Sequence, residues 1–228
     1  MSLPYDEEYY RGNGQADDRP ALGYYTRLVR RYTDSGPFLD FGCGTGHLVR
    51  RLSALGPASG MEISEYSAAT ARRNAPGCDV TTDPRTLASG AFGALTAIHV
   101  LEHLDDAVAA ETLATWQRIL RPGGQALVVM PDPAGRARAL LGDAWMGFSD
   151  ETHINLKPHA VWRRFLADHG FVVEREGSDG LWNVPYSRMP KIVDAARYAV
   201  PALTQFLAGG IHLRPGAGES SIFVLRRP

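Results

Sequence analysis

The chain has 228 residues, of which 44% are hydrophobic and 21% are charged, and its formal net charge is −1. These values are typical of a globular domain with a sizeable core, and they exclude the strongly basic balance of a domain that binds phosphate backbones. No apolar run reaches the ~18 residues of a membrane span and the N-terminus lacks a signal-peptide pattern, so we expect a cytoplasmic protein without a membrane partner.

Short apolar strands and helices alternate through the first two thirds of the chain. Residues 1–20 are polar and turn-rich, and residues 22–32 carry apolar side chains at helical spacing. The strands that follow are predicted at 38–41, 58–63, 78–81, 94–100 and 126–130, with helices at 47–55, 64–75 and 107–120 and a turn at 121–124. This alternation predicts βαβ units, and therefore a largely parallel sheet with helices on both faces.

The last third has a different organisation. A helix is predicted at 158–169, a strand at 171–174 and a closing strand at 221–226. Between the last two strands lies the segment 178–219, with one helical stretch at about 190–207. Such a segment is too long for an ordinary connection, and insertions of this kind are usually functional.

A glycine-rich turn follows the first strand directly. Gly42, Gly44 and Gly46 have no Cβ, so the backbone can turn sharply and lie close to a ligand. The helix that follows offers unpaired N–H groups at its N-terminus. The spacing is G-x-G-x-G rather than the dinucleotide pattern G-x-G-x-x-G, which indicates a ligand without a pyrophosphate. Asp40, two residues before the first glycine, can bind water or an ammonium group.

The strand-DFGCGTG-helix pattern resembles the first motif of class I S-adenosylmethionine-dependent methyltransferases, in particular the subgroup of ubiquinone-biosynthesis enzymes. The resemblance covers about residues 36–175. It implies an α/β fold, a Rossmann-like seven-stranded mixed sheet with helices on both faces. It also implies S-adenosylmethionine as the cofactor and S-adenosylhomocysteine as the product.

The resemblance also implies which residues hold the cofactor. Glu62 in GMEIS matches the acid that binds both ribose hydroxyls, about twenty residues after the turn. Asp83 matches the position that contacts the adenine amino group, with Asp79 as a competitor. Gly93 departs from the family, which commonly has Asp there. The full set of cofactor residues is Tyr10, Asp40, Gly42, Cys43, Gly44, Gly46, His47, Glu62, Ile63, Asp83 and His99.

Histidines are the candidate catalytic residues. His99, His103 and His153 are candidates for the base that a hydroxyl or protonated amine acceptor requires. A second alternative, less favoured, is a divalent metal held by these histidines and Glu102, as relatives with a similar Glu-His pair and distal His have. Here His99 replaces a Glu of that pattern. In the third alternative, Glu102 and His103 only cap and anchor a helix start.

Aromatic residues are candidates for contacts around the site. The run Tyr5–Tyr10 resembles the lead-in segment that folds over the cofactor in related enzymes, where tyrosines favour a cation. A helix packed on the sheet is the alternative. Four further aromatic residues are candidates for the lining of a substrate pocket: Trp145, Phe148, Trp182 and Tyr186. Asn183 opens an Asn-Val-Pro-Tyr sequence that is only superficially like a motif of nucleic-acid amino methyltransferases.

These observations predict a single methyltransferase domain over residues 1–228, with four parts. The parts are an N-terminal lid and helix (1–35), a cofactor-binding core (36–177), a substrate-side insertion (178–219) and a closing strand (220–228). We expect methyl transfer to O or N of a small molecule. The few lysines and many arginines suggest a bacterial source. The late insertion and the absence of a basic tract favour a small acceptor such as a natural-product intermediate, and so a role in secondary metabolism. The alternatives are a peptide N-terminus or RNA end as acceptor, a non-catalytic cofactor binder, and a nicotinamide oxidoreductase.

Overall fold

The computed structural model describes Tyr9 and residues 17–33, 36–182 and 185–228. Its strands are β1 (Phe38–Phe41), β2 (Ala58–Met61), β3 (Asp79–Thr81), β4 (Phe92–Ile98), β5 (Leu120–Pro131), β6 (Val172–Ser178) and β7 (Ser220–Arg226). Its helices are α1 (Pro20–Tyr32), α2 (His47–Ser53), α3 (Glu65–Asn74), α4 (Asp106–Ile119), α5 (Arg136–Leu141), α6 (Met146–Ser149), α7 (His159–Asp168) and α8 (Lys191–Ala208). Three short 3₁₀ turns lie at Pro84–Thr86, Leu101–His103 and Gly142–Ala144.

The strands form one seven-stranded sheet in the order β3-β2-β1-β4-β5-β7-β6. β1 pairs in parallel with both β2 and β4, and β2 pairs in parallel with β3. β7 runs antiparallel to β5, because Asp132 N–H donates to Glu219 O at one end while Arg227 N–H donates to Gly124 O at the other. The predicted seven-stranded mixed sheet of the methyltransferase fold is therefore confirmed.

The predicted turn at residues 121–124 is wrong, because β5 runs through it. Gly123 adopts the left-handed backbone conformation with φ 79°. Its N–H still donates to Arg227 O at 3.0 Å, and Arg227 N–H donates back to Gly124 O at 2.8 Å. Pairing with the chain beyond β7 holds this Pro-Gly-Gly segment in the sheet, and a sequence window of a few residues cannot reveal such a long-range partner.

The register of the central strands brings two polar residues together. Asp40 on β1 is aligned with Gly60 on β2 and with Thr96 on β4. All three strands are parallel, so their carboxyl ends meet at one edge of the sheet, where ligands of open α/β sheets bind. The glycine turn after β1 and the residues after β2 therefore lie at that edge.

The chain divides into two compact units. The first comprises the residues up to Ile98 with Ala114–Leu127 and Arg226–Pro228, and the second comprises His99–Leu113 and Val128–Leu225. In the first unit a small cluster beside the glycine turn includes Cys43 and Val49. In the second, a buried cluster joins α5 to the middle of α8; its members are Ala137, Trp145, Leu181, Tyr186 and Tyr198. Within the described ranges, no helix combines the length and apolarity needed to cross a bilayer.

Candidate active site

The glycine turn of the first unit needs its glycines for conformational reasons. Gly42, Gly44 and Gly46 all have positive φ, at 74°, 51° and 83°. A Cβ on Gly46 would also come within 2.7 Å of the Ala71 Cα atom in α3. The turn is held against the end of β2, because the N–H groups of Gly42 and Cys43 donate to Met61 O at 2.8 and 3.0 Å. The backbone path at this edge of the sheet is therefore fixed.

Glu62 links that turn to the residues after β2. Its Oε2 accepts a hydrogen bond from Gly44 N–H, and its Oε1 accepts one from Ser64 N–H, both at 2.9 Å. The residue is only 5% exposed, and burial raises the pKa of its carboxyl while the backbone N–H groups oppose that shift. Because an ionised carboxylate can accept about four hydrogen bonds, each oxygen retains capacity for a ligand hydroxyl.

Asp40 is the second buried carboxylate of this unit. It is 3% exposed, and the Thr96 hydroxyl donates to its Oδ1 at 2.6 Å. Burial raises the pKa of Asp40 to about 7, the Thr96 hydrogen bond lowers it, and the negative charge of Glu62 raises it further. Asp40 and Glu62 are thus two buried carboxylates at the glycine turn, and the charge of Glu62 acts on Asp40.

The residues of this edge fit S-adenosylmethionine. Among the described residues, no basic side chain contributes to the shifted pKa of Asp40. A ligand that carries an ammonium and a sulfonium would supply the missing positive charge, and a ribose diol suits the remaining acceptor capacity of Glu62. The three glycines of the turn leave room for close approach of the backbone to such a ligand.

The other predicted cofactor residues lie in varied settings. Asp83 caps the Pro84–Thr86 turn and forms a salt bridge with Arg85 at 2.8 Å, and Arg85 lowers the pKa of its carboxyl. Adenine would therefore compete with that arginine for Asp83. Ile63 is 44% exposed and His47 is the first residue of α2. Tyr10 and the run from Tyr5 to Glu8 lie outside the described residues.

The catalytic histidines predicted from the sequence belong to the second unit. His99 has a positive φ of 57°, which is uncommon for a residue with a side chain. Its Nδ1 lies 3.0 Å from Glu102 Oε1. Glu102 and His103 lie in the Leu101–His103 turn before α4, and Asn155 N–H donates to Glu102 O at 2.9 Å. The turn is therefore anchored to the loop that carries His153.

Hydrogen bonding fixes the proton positions on His103 and His153. The Thr152 hydroxyl donates to Asp150 Oδ1, so its oxygen accepts from His103 Nδ1 at 2.8 Å, and Thr152 O also accepts from that nitrogen at 3.2 Å. His153 Nδ1 donates to Gly147 O at 2.9 Å. In the neutral form of each ring, the lone pair is consequently on Nε2. Burial lowers the pKa of His103, which favours this neutral form.

Glu102, His103 and His153 form a potential cation site. One ligand atom from each lies within 4.8 Å of the others. Glu102 is fully buried and, in the described part of the chain, its Oε2 has no hydrogen-bond partner. Two imidazoles with fixed tautomers and a carboxylate suit a divalent transition metal. These three residues belong to the four-residue metal set predicted from the sequence. The fourth member, His99, contacts the other carboxylate oxygen of Glu102, Oε1.

The predicted aromatic lining divides into separate groups. Trp145 and Tyr186 share the buried cluster of the second unit, and Trp145 also makes an edge contact with Phe148 at 5.4 Å. Trp182 instead contacts Phe206 of α8, with ring centroids 6.0 Å apart. Trp145 is completely buried, so it supports the cluster from within. Asn183 lies outside the described residues.

Two polar arrangements were not predicted from the sequence. Thr96, the partner of Asp40, is the polar residue in the otherwise apolar strand FGALTAI. A polar residue within an apolar strand is the feature of the sequence that could have indicated a buried polar contact. Asp179 and Glu219 form a buried acid pair in the second unit. Asp179 Oδ1 accepts from Ser220 N–H at 2.8 Å, and burial, followed by the charge of Glu219, raises the pKa of Asp179 to about 7. No short motif marks this pair, because its members are forty residues apart.

The strand order, the glycine turn and the buried acids Asp40 and Glu62 on either side of it define the protein as a class I S-adenosylmethionine-dependent methyltransferase. Residues 15–176 match the model of the family described as "Methyltransferase domain", and the chain belongs to this family. That assignment favours the predicted methyltransferase over the nicotinamide oxidoreductase. The ubiquinone-like subgroup stays a prediction.

Solved structures confirm the fold at low sequence identity. A proposed methyltransferase of Haloferax volcanii, in complex with the Trm112 methyltransferase activator, superposes with TM-score 0.68 and 16% identity over 100% of this chain and 99% of that one. A candidate histamine N-methyltransferase of Thermotoga maritima gives TM-score 0.65 and 17% identity, covering 97% and 95%. The [4+2]-cyclase SpnF gives 0.59 and 20%, covering 90% and 81%. No curated protein matches the sequence.

Proposed function

We propose that this methyltransferase transfers the methyl group to an oxygen or nitrogen atom of a small molecule, with a histidine of the second unit as the base. S-adenosylmethionine supplies an electrophilic methyl group on a sulfonium and leaves as S-adenosylhomocysteine. The observation that carries the proposal is the fixed tautomer of His103 and His153, whose Nε2 lone pairs can accept a proton from an acceptor O–H or N–H.

The cofactor is proposed to bind at the carboxyl edge of β1 and β2. Glu62 would accept hydrogen bonds from the two ribose hydroxyls while it keeps its bonds to Gly44 and Ser64. Asp40 would face the positive part of the methionine moiety. Asp83 is proposed to receive the adenine amino group, in exchange for part of its contact with Arg85.

A small acceptor is supported by the charge of the chain. The net charge of −1 provides no excess of cations for the phosphate contacts of an RNA end. RNA as the acceptor would predict an affinity that falls steeply with salt. The bacterial source, the role in secondary metabolism and the cytoplasmic location stay predictions.

The test of the base is a methyl-transfer assay with product detection. Purified protein is incubated with S-adenosylmethionine carrying a labelled methyl group and a metabolite extract, and labelled products are identified by mass spectrometry. With the acceptor in hand, we expect His103→Gln or His153→Gln to lower kcat by about 10²–10⁴-fold, the usual contribution of general acid–base catalysis. His212→Gln, which changes an exposed histidine of the same unit, is the matched control. Unchanged kcat in both folded histidine variants contradicts the proposal.

A second candidate is that the same trio holds a divalent cation that binds the acceptor oxygen. The specific observation that favours it is the fully buried Glu102, whose Oε2 has no partner in the described part of the chain. Glu102, His103 and His153 would hold the ion, which would lower the pKa of a bound hydroxyl. The third alternative, a purely structural anchor, is supported by the hydrogen bond between Asn155 and Glu102.

Metal binding can be tested without turnover. Thermal unfolding of chelator-treated protein is followed with and without Zn²⁺, Mn²⁺ or Mg²⁺. If the trio binds a cation, one of these ions raises the Tm of the native protein but not of Glu102→Gln, since a ligand that binds only the folded state stabilises it. If no ion raises the Tm and activity survives chelation, the metal alternative is excluded, and the kcat of His103→Gln and His153→Gln then distinguishes a base from a structural anchor.

A further inference from the structure

Helix α8 turns a stripe of apolar side chains toward solvent. We call Ile192, Ala196, Val200, Leu203 and Leu207 the outer stripe; they recur at helical spacing on one face. Its four larger members are exposed: Ile192 80%, Val200 51%, Leu203 48% and Leu207 69%. Surface helices of globular proteins normally show the opposite arrangement, with the apolar face toward the core.

Two polar side chains of α8, Asp194 and Gln205, point inward and are hydrogen-bonded. Asp194 is fully buried and accepts from Tyr186 N–H at 2.5 Å. Gln205 is 1% exposed; its amide nitrogen donates to Ser178 O at 2.8 Å and its oxygen accepts from Leu213 N–H at 2.8 Å. Rotating the helix to bury the outer stripe would break all of these bonds. The inverted orientation is therefore fixed by the sequence, and the stripe stays on the surface.

The exposed charges in the chain segment that carries the outer stripe are all basic. Between residues 185 and 217 the exposed ionisable side chains belong to Arg188, Lys191, Arg197, His212 and Arg214. The single acid of this range, Asp194, is fully buried. The chain as a whole has a net charge of −1, so this surface differs in sign from the protein average. An apolar stripe flanked by cations is the pattern of a helix that lies in the interface of an anionic membrane.

We propose that the outer stripe of α8 docks this protein onto an anionic lipid surface. The helix would lie in the plane of the membrane, with the stripe among the acyl chains and the flanking cations at the phosphate groups. A second copy of the chain fits less well, because facing stripes would bring the arginines and Lys191 of both copies together without an exposed acid in this range. In-plane docking differs from membrane spanning, and it departs from the sequence-based expectation of no membrane partner.

Vesicle flotation tests the proposal. The full chain is mixed with vesicles of phosphatidylcholine alone or with about 30% phosphatidylglycerol. We expect at least a tenfold higher bound fraction on the anionic vesicles, reduced several-fold by 0.5 M salt. Leu203→Asp combined with Leu207→Asp is expected to abolish binding. Val108→Asp combined with Val161→Asp is the matched control, because these residues are 43% and 47% exposed on α4 and α7, and should bind like the native protein.

A second set of variants and a sedimentation experiment cover the other outcomes of the flotation test. If the stripe variant does not fold by circular dichroism, Arg188→Gln with Lys191→Gln and Arg197→Gln replaces it, and loss of the preference for anionic vesicles supports the proposal. Equal flotation of native and variant proteins overturns it. Sedimentation equilibrium distinguishes the other occupant: a dimer that the stripe substitutions dissociate, without vesicle binding, shows that the stripe covers a second copy and overturns lipid docking. Methyl transfer is not measured, so failure here leaves the proposed function intact.

Discussion

Replacing Asp40 with asparagine should stabilise the protein above neutral pH. Burial raises the pKa of Asp40 from its ordinary value of 3.8 to about 7. Between these two values the folded protein keeps a proton that the unfolded chain has released. The free energy of unfolding therefore falls as the pH rises through this window, and above pH 7 the loss is complete.

The size of the effect follows from the two pKa values. One pH unit corresponds to 1.36 kcal/mol, so ionised Asp40 costs up to roughly 4 kcal/mol of stability. Asparagine carries no charge and its side-chain oxygen can still accept the Thr96 hydroxyl. Asp40→Asn should thus match the native protein near pH 4 and exceed it at pH 8. A chain of this length gains about 2–4 °C in Tm per kcal/mol, so the shift should reach about 10 °C.

Thermal unfolding by circular dichroism at several pH values measures this difference. The cofactor should show the opposite preference, because its positive groups favour the ionised carboxylate. We expect S-adenosylmethionine to bind Asp40→Asn at least about tenfold more weakly at pH 8, in line with hydrogen bonds to charged groups. Calorimetry in buffers of different ionisation enthalpy should detect proton release when the native protein binds below pH 7. A stability difference that does not change with pH, or a less stable variant at pH 8, refutes the reasoning.

Three further substitutions test the remaining polar and backbone features. Glu62→Ala should weaken cofactor binding by roughly 1.5–3 kcal/mol in calorimetry, and it should also lower Tm because Gly44 and Ser64 lose their acceptor; unchanged affinity in the folded variant would count against the ribose contact. Gly46→Ala should destabilise by more than about 1 kcal/mol in urea unfolding, since φ is 83° and the new Cβ would meet Ala71. Asp179→Asn should raise Tm at pH 8 but not at pH 4, because the pKa of Asp179 is raised to about 7; equal shifts at both pH values would contradict its buried ionisation.

The part of the fold that depends on local backbone geometry was predictable from the sequence. The spacing of Gly42, Gly44 and Gly46 predicts a sharp turn, and all three have positive φ in the structure. The alternation of short apolar strands with helices predicted a largely parallel sheet, and the structure pairs β1 in parallel with β2 and β4. Both signals arise within a few residues, because glycine at positive φ and apolar runs are local requirements.

The contacts that define the site were not predictable in the same way. The hydrogen bond between Thr96 and Asp40 joins residues 56 positions apart, and its existence depends on the register of β1 with β4. Likewise, the ring centroids of His103 and His153 lie 4.8 Å apart although fifty residues separate them. The sequence around each histidine indicates a candidate base or metal ligand. Which of these residues come into contact depends on the fold.

Helix α8 is harder to predict from the sequence, because its apolar periodicity indicates burial of the face that the structure exposes. An apolar face at helical spacing ordinarily predicts burial, and yet the outer stripe is exposed. The reason is that Asp194 and Gln205 satisfy backbone groups which would otherwise be buried without partners. An unsatisfied buried polar group costs about 1–3 kcal/mol, so several such groups offset the gain of about 1.5–3 kcal/mol from burying each of a few aliphatic side chains.

The buried acids Asp40 and Asp179 and the exposed stripe share one physical property: each costs stability in the isolated protein. Burial raises the pKa of both aspartates to about 7, and the apolar face of α8 is left in water. A ligand or surface that removes such a cost gains binding free energy from doing so, because the unbound state is the unfavourable one. Positive charge at Asp40 and an apolar phase at α8 are the two environments that would do this. That is why Asp40→Asn is expected to stabilise the free protein above neutral pH while it weakens cofactor binding, and why acidic substitutions in the outer stripe are expected to abolish lipid binding.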